Sequence, residues 1–92
     1  MLHIINKSPF TSPVLTECLR FTTPQDVILL IEDGVYAVID NTILATTSTI
    51  YALKADIHAR GLADKLPASV KVIDYTGFVE LTLTHHPIQT WS

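Results

Sequence analysis

One thiol, four imidazoles and a handful of carboxylates beside apolar runs are the groups in this chain that could do chemistry. Cys18 is the only cysteine, so it forms no disulfide within the chain, and its available chemistry is nucleophilic or sulfur-carrying. A reactive thiol needs partial exposure and a nearby cation or helix N-terminus to lower its pKa. Cys18 shares a helical stripe with Val14, Leu15 and Leu19 while Arg20 points elsewhere, which assigns it to packing and leaves it a weak catalytic candidate. His3, His58, His85 and His86 match no zinc-site spacing. His85 and His86 are adjacent, so on a helix they would point about 100° apart. His3 reads as a satisfied core or interface histidine, and no metal site is expected. Asp33, Asp56 and Asp74 could be paired acids, but their positions favour capping and turns. Ser8, Thr11 and Ser12 sit where a flavodoxin-like protein cradles the FMN phosphate. Their loop has two prolines and no glycine, so few free N–H groups could converge on an anion, and no cofactor is expected. A receiver domain would need an acidic pair where Asn6-Lys7 stands.

Four short apolar runs must position these groups: Leu2 to Ile5, Val27 to Ile31, Thr49 to Leu53 and Val70 to Ile73. Each is followed by a stretch able to form a helix, the pattern of a parallel sheet, whose sites lie beyond the carboxyl ends of the strands. Those ends read Asn6-Lys7-Ser8-Pro9, Glu32-Asp33-Gly34, Lys54-Ala55-Asp56 and Asp74-Tyr75-Thr76. They contain no thiol, no Gly-rich cradle and no Ser–His–Asp set. A site-bearing architecture without a nucleophile is the main clue to function.

Ser12-Pro13 predicts an N-cap with proline at the first helical position, and Thr22-Thr23-Pro24 closes that helix. The second strand lacks polar alternation, as when both faces of a sheet are covered. Asp33 is expected to cap the next helix, with Gly34 allowing a tight turn. That helix is apolar nearly all round, so Val35, Tyr36, Val38 and Ile39 are interface candidates between its own sheet and a second subunit. Ala55 to Arg60 predicts a short helix with an Asp56–Arg60 pair, ended by Gly61 in the left-handed conformation. From Val70 to Leu83 two readings stay open: a hairpin turning at Asp74–Gly77, or a strand followed by a helix capped by Thr76.

Ninety-two residues predict a single domain, 1–92, with a marginal core. Yet 48% of the residues are hydrophobic and 16% charged, with mean hydropathy +0.35, more apolar surface than a small monomer hides. An obligate oligomer subunit is expected. A net charge of −3 without a basic run argues against direct nucleic-acid binding. No signal pattern and no membrane-length apolar run is present, and a lone thiol suits a reducing compartment, so a cytoplasmic protein is expected.

The opening MLHIINKSPF, then EDGVYAVID, YALKADIHARGL and VIDYTGFVELTLTHHP before Trp91, resemble in order and spacing the TusB/DsrH family of bacterial sulfur-relay subunits. The resemblance implies a DsrE-like α/β fold, a flavodoxin-like three-layer arrangement with a mainly parallel four-stranded sheet and helices on both faces. It also implies a helix after the fourth strand. In that family the TusB-type subunit joins TusC and TusD paralogues in a heterohexamer that accepts persulfide sulfur from TusA and passes it to TusE. The sulfur then serves 2-thiolation of the wobble uridine of tRNA. DsrE, DsrF and DsrH form the corresponding complex in sulfur-oxidising bacteria. In the TusD/DsrE paralogues the persulfide cysteine follows a strand and leads into a helix. Counting back from Arg60-Gly61 places that position near Leu53 or Lys54, neither of which can carry sulfur. A non-catalytic structural subunit of a sulfurtransferase complex is therefore implied. The alternative is a DsrH-like subunit of a sulfur-oxidation relay in which Cys18 carries sulfur.

Overall fold

Strands form where the apolar runs lie. The computed structural model describes residues 1–92 and places β1 at Leu2–Ile5, β2 at Val27–Leu30, β3 at Thr49–Leu53 and β4 at Val70–Ile73. The sheet is five-stranded rather than four-stranded, because Ile88–Trp91 adds β5 beside β1. All pairings are parallel, in the order β4-β3-β2-β1-β5. The polar, exposed face of β5 hides it from a hydrophobic pattern; pairing with β1 makes it a strand.

Three successive crossovers step the same way from β1 to β4, and right-handedness puts their connections on one face. There α1 (Val14–Leu19) and α2 (Lys54–Ala59) pack with two 3₁₀ helices, Glu32–Ile39 and Asn41–Ala45. Val14, Leu15, Cys18, Val35, Val38, Ile43 and Ile57 join Ile5, Ile28, Leu30, Ile50 and Ala52 in the main core. The last crossover runs back to the far edge, so α3 (Tyr75–Thr84) lies on the opposite face. Its Leu81 and Phe78 cover Leu2, Ile4, Val27 and Leu29. Helices thus flank a parallel sheet on both sides. Every residue of β1 and β2 is buried, as strands covered on both faces must be.

Local details refine or correct the sequence expectations. Helix α1 starts at Val14 with Pro13 as its cap residue, and the Ser12 hydroxyl accepts from the Val14 amide at 3.4 Å. The segment after β2 is 3₁₀, not α-helical, and Asp33 makes no cap bond to it. Gly34 closes a tight turn, its amide donating to the Ile31 carbonyl at 2.8 Å, but what requires glycine there is close approach to β1; the positive φ belongs to Glu32, at 49°. His85 and His86 lie past the end of α3, where His86 Nε2 meets the Leu83 carbonyl at 3.0 Å.

Helix α2 ends as expected. Gly61 takes φ 65°, its amide donates to the His58 carbonyl and the Leu62 amide to the Ile57 carbonyl, a Schellman closure. The final helix is capped by Asp74, whose Oδ1 accepts from the Gly77 amide at 2.9 Å, and Thr76 already lies inside the first turn. Asp74→Ala should therefore cost about 1 kcal/mol in urea unfolding, with Thr76→Ala costing only a fraction of that. Equal losses would reverse the assignment.

Candidate functional site

Cys18 is fully buried in the last turn of α1, packed into the main core. Burial first, and the negative charge of Asp26 second, push its thiol up to about 12. At neutral pH it is a protonated, enclosed thiol, and the thiolate is the nucleophile in sulfur chemistry. Nothing around it lowers that barrier.

The carboxyl ends of the strands carry a polar network instead. At the exit of β2, Glu32 is held in the left-handed region, where a residue with a side chain is strained. Its amide donates to Asp56 Oδ2 at 2.7 Å, which ties the turn to the first turn of α2. Arg60 Nε and Nη2 both donate to Asp33 Oδ1, at 3.1 and 3.0 Å, and Nη1 donates to Asp56 Oδ1 at 3.4 Å. The guanidinium also lies 5.9 Å from the centre of the Tyr36 ring. Partial burial works against its charge, but Asp33 and Asp56 outweigh that and raise its pKa. Asp33, Asp56 and Asp74 thus each hold a fixed donor within the chain. They are structural carboxylates, spread over three strand ends rather than paired.

The hydroxyl loop after β1 is similarly occupied. The Ser8 hydroxyl accepts from the Phe10 amide, and the Ser8 carbonyl accepts from the amides of Thr11 and Ser12. Those amides cannot also converge on a phosphate. No pocket opens on the surface, and no group of three His, Cys, Asp or Glu converges as metal ligands. Leu53 and Lys54 do fall at a strand-to-helix junction, the last residue of β3 and the first of α2, with Lys54 exposed.

Of the residues singled out for an interface, Val35 and Val38 are buried against the sheet, Tyr36 is half-buried under Arg60, and Ile39 is 46% exposed. An apolar stripe that the sequence reading did not single out lies on α3, where Tyr75, Val79 and Leu83 recur every four residues and face solvent. Its signal was available: a helical period with apolar residues on the side opposite Leu81.

The sequence matches the family described as DsrH like protein over residues 7–88. The chain belongs to the DsrH-like family. Its relatives include Protein TusB of Photorhabdus laumondii, 40% identical over 99% of this chain and 100% of that protein. Protein TusB of Escherichia coli K12 is 36% identical over the same shares. Among solved structures, the family member is similar to protein Tm0979 of Thermotoga maritima, with TM-score 0.69 and 31% identity over 88% of this chain and 90% of that one. The ychN protein of E. coli superposes with TM-score 0.78 over 98% and 97% of the two chains; at 18% identity this likeness concerns the fold. No helix of this DsrH-like chain is long and apolar enough to cross a membrane.

Proposed function

We propose that this chain is a non-catalytic structural subunit of a cytoplasmic sulfur-relay complex, serving 2-thiolation of wobble uridine in tRNA. Its partners on this reading are TusC- and TusD-type paralogues in a heterohexamer, with TusA- and TusE-type carriers delivering and receiving sulfur. Membership of the DsrH-like family, with TusB proteins among the relatives, supports the relay role. The observation that carries the non-catalytic part is the burial of Cys18, the chain's only thiol, with its pKa near 12. The surface offered to partners comprises Ile39 and Tyr36 beside the buried Val35 and Val38, together with the Tyr75–Val79–Leu83 stripe.

Cys18→Ala tests this reading directly. Loss of the sulfur atom leaves a small cavity, so stability should fall by about 1–2 kcal/mol, with sulfur transfer by the assembled complex nearly unchanged. After persulfide loading, mass spectrometry should find no added sulfur atom on this chain. A sulfur adduct on Cys18, with transfer falling by about tenfold or more in an assembled Cys18→Ala complex, would make the chain a sulfur carrier.

A further inference from the structure

At the amino ends of the strands, remote from the Arg60 network, a buried imidazole joins the last strand to the first. His3, the second residue of β1, is 1% exposed. The Trp91 indole Nε1–H donates to its Nδ1 at 3.1 Å, and its Nε2 faces Asp26 Oδ2 at 3.0 Å. An indole nitrogen can only donate, so Nδ1 carries no proton and the ring is the neutral Nε2–H tautomer, donating to Asp26. Both nitrogens are satisfied in that one protonation state.

We propose that His3 is a proton-operated latch on β5. In the neutral state its Nδ1 lone pair holds the Trp91 indole, and with it the end of the edge strand. Protonation places an N–H at Nδ1 against the indole N–H, two donors facing each other across 3.1 Å, so the indole must leave. The indole bond is the one polar side-chain contact that holds the end of β5. Residues Ile88, Gln89 and Thr90 are exposed and β5 pairs on one side only, so beyond that one ladder Trp91 is held by half-burial against the main core and by stacking on Phe21, itself 69% exposed. The imidazolium stays in place because Asp26 accepts from Nε2 in either state.

The groups facing the ring set the balance. Asp26, just before β2, favours the proton. The Met1 ammonium, 3.4 Å from Asp26 Oδ1, opposes it and shares the carboxylate. Cys18 on α1, near the same carboxylate, is a neutral thiol and contributes no charge. Release of the indole loosens the ladder by which β5 covers one edge of β1, a row of backbone donors and acceptors.

Trp91 is the only tryptophan, so its indole N–H reports on the latch without overlap. The full chain, labelled with nitrogen-15 in the indole and carbon-13 in the histidine rings, is titrated by NMR from about pH 8 to about pH 5. The Trp91 indole and the His3 ring should shift together in one transition. Amides of Ile88–Trp91, corrected for intrinsic exchange, should then exchange about tenfold faster on its acid side. In His3→Gln the transition should vanish. In Asp26→Asn, which removes the carboxylate that favours the proton, it should move to lower pH; this variant decides the matter if His3→Gln does not fold. A stationary indole while His3 titrates, an indole transition that survives in His3→Gln, or one unmoved in Asp26→Asn would overturn the latch.

Discussion

Gly34→Ala is expected to be the most damaging single-methyl substitution in the chain, costing on the order of 3 kcal/mol or preventing folding. A Cβ at this position would lie 2.0 Å from the carbonyl oxygen of Ile5 and 2.7 Å from its carbonyl carbon. Those atoms are backbone at the end of β1, buried between β2 and β5, and cannot swing aside as a side chain would. The 3₁₀ segment would have to lift from the sheet, taking Val35 and Val38 with it. Gly61 supplies the control. It has φ 65° and nothing within 4 Å of an added Cβ, so Gly61→Ala should cost only about 1 kcal/mol of backbone strain. Urea midpoints of the two variants separate the mechanisms, and a Gly34→Ala protein as stable as wild type would mean that β1 and the 3₁₀ segment are less closely apposed.

Val38→Asp carries the second large effect. Val38 is 4% exposed and packs in the main core, so an aspartate there meets no donor and loses its water. The expected cost is several kcal/mol, enough to unfold a domain of this size. Ile39, its neighbour, is 46% exposed. Ile39→Asp should change the stability of the chain by less than about 0.5 kcal/mol and weaken assembly with its partners. Circular dichroism for folding and co-purification for assembly give four readouts. Normal folding of Val38→Asp, or normal assembly of Ile39→Asp, would remove that residue from the role assigned to it.

Why some of this architecture was legible in the residues, and some was not, follows from the range of the forces involved. The runs Leu2–Ile5, Thr49–Leu53 and Val70–Ile73 coincide with β1, β3 and β4 because burial on a sheet selects apolar residues locally. Gly61 and the Asp56–Arg60 pair were readable for the same reason: their partners lie within one or two helical turns. The fifth strand was not. Its Gln89 and Thr90 look like loop residues, and their extended conformation is decided by β1, at the other end of the chain. Asp33 was read as a cap because capping is local, whereas its partner Arg60 stands at the end of α2, one strand further on. The Glu32 turn is held by Asp56 in the same way. At the site, burial of Cys18 followed from its stripe with Val14 and Leu15, while its company with Asp26, and the bond from Asp26 to His3, needed the fold.

The position of β5 also shapes how the chain acquires its structure. Leu2 lies opposite Ile88 and Ile5 opposite Trp91, so the sheet is completed by a contact spanning nearly the whole sequence. Closing a loop of that length costs only about 0.6 kcal/mol more than closing one half as long, so equilibrium stability scarcely registers it. The route to the native state does, since such long-range pairings slow folding. During synthesis β1 to β4 can assemble by successive neighbouring crossovers, while the other edge of β1 waits for Ile88–Trp91, which is made after all four. Leu2–Ile5, by composition a central strand, is for that interval an unprotected apolar edge, the kind that recruits other chains.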